Sequence, residues 1–141
     1  LGATYLINNK DGLAVEKIKE LTQGEGVDFS IEAAGKSQVC EAAFSSVKDK
    51  GGLCILAGHP AEGETIQLNP FDLIKGKKIQ GSWGGESQPD RDIPLLAKFF
   101  LEGKLPLNKI ISHRFKLDEI NQALDILEKG DAARILIEMD D

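Results

Sequence analysis

The chain has 141 residues, with 17 Lys plus Arg against 23 Asp plus Glu and a formal net charge of −6. An acidic chain without a Lys/Arg block does not suit a phosphate backbone, so no nucleic-acid partner is expected. Hydrophobic residues make up 41% and charged residues 28%, the composition of a folded domain and not of a disordered segment.

The longest unbroken apolar run is five residues, 53–57 (LCILA). A spanning helix needs roughly 20, so no membrane partner is expected either. No basic-then-apolar leader opens the chain, and a cytoplasmic location is expected. The chain opens at Leu1 and its one Met is Met139, which reads as a piece of a longer protein. Cys40 and Cys54 lie 14 residues apart with no CxxC partner; they read as reduced, packed thiols and not as a metal or disulfide framework.

In chain order, residues 3–7 (ATYLI) form a short β-prone run. Asp11 can cap a helix in which Ala14, Ile18 and Leu21 recur on one face, with Gly24 to end it. Residues 27–34 (VDFSIEAA) read as a buried strand. Ser37 can cap a helix carrying Cys40, Ala43, Phe44 and Val47, closed by Gly51 and Gly52. Residues 53–58 (LCILAG) are the most strand-like stretch, apolar enough for a sheet covered on both faces. Asn69 followed by Pro70 opens a short helix that stops at Gly76.

Residues 78–83 (KIQGSW) are the next strand candidate. Asp90 or Asp92 starts a helix with Leu95, Leu96, Phe99 and Phe100, ended by Gly103. Residues 110–115 (IISHRF) read as a strand. Asp118 caps a helix with Ile120, Ala123, Leu124 and Leu127, closed by Gly130, and residues 134–139 (RILIEM) form a last strand. Asp140 and Asp141 read as a solvated tail. The crossovers between the three buried strands are 18 and 19 residues long, which suits right-handed connections between parallel strands. The fold class is therefore α/β with a mostly parallel sheet.

Open parallel sheets bind ligands beyond the carboxyl ends of their strands. Here three strands end in small residues: Ala33, Ala34 and Gly35; Ala57 and Gly58, followed by His59; Gly81 and Ser82, followed by Trp83. Missing side chains let a flat ligand approach the main chain and leave N–H and C=O groups to bond it. Any one of these ends reads as a tight turn; the three together read as a ligand crevice. Residues 58–65 (GHPAEGET) have the glycine spacing of a phosphate loop, but Glu64 replaces the lysine and would repel phosphate. Gly24-Glu25-Gly26 is a turn before a strand. No HExxH, GxSxG or close Ser/His/Asp spacing occurs. His113 reads as a packed or surface imidazole, and His59 contributes main chain sooner than acid–base chemistry.

Three stretches, 26–35 (GVDFSIEAAG), 68–85 (with LNPF and KIQGSWGG) and 117–130 (LDEINQALDILEKG) followed by Ala133 and Arg134, resemble the C-terminal portion of the zinc-containing alcohol dehydrogenases of the medium-chain dehydrogenase/reductase family. The resemblance covers essentially the whole chain. It implies an incomplete Rossmann-type coenzyme domain over residues 1–109, with strands resembling the family's third to sixth. Residues 110–141 would return to the catalytic domain.

The resemblance further implies that Ala33, Ala34 and Gly35 line a coenzyme ribose. Main chain at Ala57, Gly58 and His59, and at Ser82 and Trp83, would bond the nicotinamide amide. Arg134 would pair with the pyrophosphate, for which a guanidinium fork is well suited. The loop at 81–85 is about one residue shorter than the family pattern. The coenzyme is NAD or NADP. No catalytic residue and no metal ligand falls in this chain; zinc, the glycine-rich turn and the proton relay would belong to the portion before Leu1.

The implied function is hydride transfer between a small alcohol or aldehyde and a nicotinamide coenzyme, with the chain alone inactive. The alternatives are a zinc-free quinone or enoyl reductase of the same family and a non-catalytic dimerisation or nucleotide-sensing module. The family strand order 3-2-1-4-5-6 leaves residues 3–8 without an in-sheet neighbour. It also leaves the last two strands without the catalytic domain they pair with, so the isolated chain is expected to be marginal, with its core in strands 4, 5 and 6. The edge at 78–83 fits a homodimer contact.

Overall fold

In the computed structural model, which describes residues 2–139, helices and strands alternate and the chain groups into two units. Residues 4–87 form one; residues 88–139, with residues 2–3, form the other. The acidic tail expected at Asp140 and Asp141 lies outside the described residues.

In the first unit, α1 (Ala14–Leu21) is entered through Asn and Asp side chains that take up orphan helix amides. Asn9 Oδ1 accepts from Ala14 N–H at 3.0 Å and Asp11 Oδ1 from Leu13 N–H at 3.1 Å, the chemistry that favours these residues at helix starts. Lys17 holds the Asp11 carboxyl below its usual range through a 2.6 Å contact. Strand β1 (Phe29–Glu32) leads into α2 (Ser37–Ser46), then β2 (Leu53–Leu56), α3 (Pro70–Ile74) and β3 (Lys78–Gly81). Ser37 is the first helical residue of α2 and not its cap; its hydroxyl donates to Glu64. Asn69 caps α3 as expected, accepting from Phe71 N–H at 3.0 Å, with Pro70 at the first helical position.

The three strands form one parallel sheet in the order β1-β2-β3. Helix α2 packs on β1 and β2, and α1 packs on α2. The core lies between α2 and one sheet face: Phe44, Val47 and Cys54, joined by Val27, Ala43, Leu56, Leu68 and Ile79. Cys40 is also fully buried, so the predicted α2 face is the buried one.

The opposite sheet face differs from expectation. Phe29 and Ile31 are 70% and 71% exposed, so β1, expected as a buried strand, is covered on one side only. Residues 3–8 form no strand, and among the described residues β1 pairs only with β2. An extended segment needs a ladder partner for its amides, and among the described residues none lies beside it. An apolar groove of about 580 Å³, lined by Ala14, Ile18, Phe29, Ile31 and Val39 among others, runs along the free edge of β1.

In the second unit, α4 (Pro89–Leu101) begins with proline, and Asp92 accepts from Gln88 N–H at 2.8 Å. Pro94 lies inside this helix and removes one backbone donor. The strand expected at 110–115 starts later. Leu107–Ile110 is a 3-10 turn following Pro106, and β4 is His113–Lys116. It crosses through α5 (Ile120–Glu128) to β5 (Ile135–Glu138), and β4 and β5 pair in parallel with each other. Arg114 and Glu138 bridge them at 2.6 Å. Ala123 is the buried contact residue of α5.

Burial pushes both thiols up, and the nearby Glu32 carboxylate raises Cys40 further. A folded-state pKa above the unfolded one means that the folded state holds its proton longer. The stability carried by these neutral thiols is present below the ordinary value of 9.0 and is lost as pH climbs through the raised values. At pH 8, Cys40 and Cys54 should label with a thiol reagent only after unfolding, followed residue by residue by mass spectrometry. Rapid labelling of both in the native protein would contradict their burial.

Candidate functional site

The carboxyl ends of β1, β2 and β3 are level, because the register pairs Glu32 with Leu56 and Leu56 with Gly81. Three connecting segments therefore leave the sheet side by side. The main chains of the first two are in direct contact. A Cβ built on Gly58 would stand 2.3 Å from Gly35 N and 2.7 Å from Gly35 Cα, and one built on Gly35 would stand 2.5 Å from the His59 carbonyl oxygen. Gly35 also has a φ of +66°, a left-handed conformation that favours glycine.

Beyond β2 and β3 opens a cleft of about 720 Å³. Ala57, Gly58, His59, Ser82 and Trp83 line it. The His59 and Trp83 rings meet edge to face at 5.0 Å between centroids and 73° between planes, a favoured aromatic geometry. Trp83 is 82% exposed. Ser82 Oγ accepts from Gly85 N–H at 3.1 Å and shapes the loop.

The structure thus brings together Gly35, Ala57, Gly58, His59, Ser82 and Trp83. Ala33 and Ala34 line the groove along the free edge of β1. Arg134 belongs to the second unit, just before β5, where its carbonyl accepts from Ser112 N–H at 2.9 Å and Ser112 Oγ at 3.1 Å. His113 lies in β4, with Nδ1 3.0 Å from Ser112 Oγ and its ring stacked on Phe115 at 6.2 Å.

One expectation needs correction. Small strand ends were expected to leave N–H groups for a ligand, but five of these amides are already used. Ala57 and Gly58 N–H donate to the Glu32 carbonyl at 2.8 and 2.9 Å, and Ser82 N–H to the Leu56 carbonyl at 2.9 Å. Ala34 and Gly35 N–H donate to Glu32 Oε1 at 2.6 and 2.7 Å. The ladder continues one step past the assigned strands, and a side chain captures the amides beyond it.

That side chain, Glu32, is the residue that reading for small strand ends overlooks. It is 1% exposed. A buried carboxylate is costly unless hydrogen-bonded, and each charged hydrogen bond contributes about 1.5–3 kcal/mol. The available signal was an acid at the end of a strand, followed at once by Ala, Ala and Gly.

A second cleft, of about 600 Å³, lies at the amino ends of the strands, lined by Lys19, Lys48, Lys50, Lys75 and Lys77 together with Glu25, Asp49 and Asp72. Two of its cations are paired with these or nearby acids. Lys75 stands 3.4 Å from Asp72 and 4.0 Å from Asp49, and Lys48 pairs with Asp28. Lys77, its pKa held down mainly by burial, donates to the Ser45 carbonyl at 3.1 Å. Among the described residues no group of three or more His, Cys, Asp or Glu is placed to hold a metal ion, and no helix is long and apolar enough to cross a membrane.

Comparison with known proteins agrees with the parallel α/β fold. Residues 1–102 match the zinc-binding dehydrogenase family. The chain is 31% identical over 142 residues to alcohol dehydrogenase 1 of Pisum sativum, covering 99% of this chain and 37% of that protein. It is 37% identical over 124 residues to alcohol dehydrogenase-like 5 of Arabidopsis thaliana, covering 88% of this chain and 32% of that protein.

Among solved structures, benzyl alcohol dehydrogenase from Acinetobacter calcoaceticus superposes with a TM-score of 0.89 at 32% identity, over 99% of this chain and 38% of that one. An alcohol dehydrogenase zinc-binding domain protein from Burkholderia ambifaria gives 0.89 at 28% identity, over 99% and 37%. The chain therefore spans less than two fifths of the length of these relatives. Sequence and fold agree along its length: the chain belongs to the zinc-binding dehydrogenase family.

Proposed function

We propose that this chain is the part of a nicotinamide-dependent alcohol or aldehyde oxidoreductase that seats the nicotinamide half of the coenzyme. The observation that carries this reading is the group of three level strand ends, packed main chain on main chain at Gly35 and Gly58 and opening into the cleft beside Trp83. A cradle with no room for a Cβ suits a flat ring laid against bare backbone. Ala57, Gly58, His59, Ser82 and Trp83 would hold the ring and its amide. Ala33, Ala34 and Gly35 would hold the adjoining ribose, and Arg134 the pyrophosphate.

When bound, NAD or NADP supplies the hydride acceptor or donor. The chain's residues orient it and exclude water; they supply neither zinc nor a proton relay. In the full-length protein those parts would come from residues outside this chain. Residues 110–141 would there serve the catalytic domain, and the protein would be cytoplasmic. The exposed edge strand β3 would pair with its copy in a homodimer, and a monomeric mass by light scattering at micromolar concentration would remove that contact.

Titration of the full-length protein with NADH and NADPH tests the reading. One of them should bind, and Trp83→Ala should weaken it about tenfold, the loss of one stacked aromatic contact. Arg134→Ala should weaken it by about 1.5–3 kcal/mol, the range for a charged hydrogen bond. An unchanged dissociation constant removes Arg134 from the site. Tight binding without turnover of any alcohol, aldehyde, quinone or enoyl compound would favour a nucleotide sensor. Turnover of quinones or enoyl compounds by metal-free protein would favour the zinc-free reductase.

A further inference from the structure

Glu32 closes β1 with its carboxylate buried beneath the strand ends. Oε1 accepts both the Ala34 and Gly35 N–H groups. Oε2 has no hydrogen-bond partner among the described residues and lies under Gly58, where a Cβ would come within 2.5 Å of it.

The effect on the rim follows from peptide geometry. In a trans peptide the N–H and the preceding C=O point in opposite directions. With the Ala34 and Gly35 N–H groups drawn inward onto Glu32, the Ala33 and Ala34 carbonyls turn away from it. The Gly58 N–H is bound to the Glu32 carbonyl, so the Ala57 carbonyl is turned away in the same manner. At these three peptides the rim presents acceptors where free amides would have presented donors.

We infer that Glu32 is a positioning residue that fixes the outward-turned Ala33, Ala34 and Ala57 carbonyls, so that they accept from hydroxyl and amide groups of a ligand. This rests on the coenzyme reading above, and it assigns the rim to the ribose–nicotinamide half. AMP lacks that half and does not report on the rim.

The test uses the full-length protein with Glu32→Ala and Glu32→Gln, and measures dissociation constants for the bound coenzyme and for AMP. Glu32→Ala should weaken coenzyme binding at least tenfold and change AMP binding less than twofold. Glu32→Gln keeps an oxygen for both amides and should stay within about threefold of wild type for the coenzyme. Equal weakening of coenzyme and AMP by Glu32→Ala would reduce Glu32 to a structural role and overturn the inference. So would a Gln variant as weak as the Ala variant, or an Ala variant that binds like wild type.

If Glu32→Ala does not fold, hydrogen exchange in the wild type decides: the Ala34 and Gly35 amides should be protected, and free exchange there overturns the inference. A wild-type protein that binds neither NADH nor NADPH would instead bring down the coenzyme reading itself, and this inference with it.

Discussion

Gly58→Ala should cost the full-length protein about 2–3 kcal/mol of stability, the upper part of the range for overpacking, and should abolish coenzyme binding. The added methyl would meet Gly35 N at 2.3 Å, Glu32 Oε2 at 2.5 Å and Gly35 Cα at 2.7 Å. Two of these are main-chain atoms and the third belongs to a side chain held by two hydrogen bonds. None can step aside alone. Relief requires the β1 and β2 ends to part, which also opens the floor of the proposed nicotinamide seat.

Gly81→Ala supplies the contrast. Nothing lies within 4 Å of its Cβ and its φ is not positive, so its stability should change by less than about 0.5 kcal/mol. Urea midpoints and NADH titrations of both variants check the pair. Wild-type midpoint and affinity in Gly58→Ala would mean that the two strand ends do not touch.

Phe44→Ala should be the most damaging core truncation, at about 3–5 kcal/mol. Phe44 is 1% exposed and the largest fully buried side chain described. It joins Val47, Cys54, Leu56 and Ile79 in the cluster that fastens α2 to the sheet. The Lys77 ammonium stands over its ring at 5.7 Å. Few side chains share this core, so the loss is a large part of a domain stability of about 5–15 kcal/mol. Phe44→Leu leaves most of the volume filled and should lose less than half as much. The comparison is read from urea midpoints, and a loss under 1 kcal/mol in Phe44→Ala would show that the unit is not held together at this cluster.

Local pattern made much of this legible in the sequence. Short β-prone runs and a 3.6-period stripe located β1, β2, β3 and the buried face of α2 because those residues share one continuous core. Asn69-Pro70 was legible because cap chemistry is local. The strand expected at 3–8 was not realised, since β propensity supplies no ladder partner. The start of β4 slipped from 110 to 113 because Pro106 is followed by a 3-10 turn.

The candidate cleft was legible as three runs of small residues, but not its polarity. Which amides are spent depends on the register of neighbouring strands and on one buried carboxylate, and both are long-range facts. Single-residue pattern treats Glu32 as an acid at the end of a strand, although it organises the turn that follows.

The uncovered flank of β1 bears on handling the polypeptide by itself. Phe29 and Ile31 sit beside a ladder edge left unpaired among the described residues, the combination that templates intermolecular strand addition. Produced without a neighbour for that flank, the polypeptide is prone to aggregate through it, and a charged residue at position 31 would act as a gatekeeper against the process.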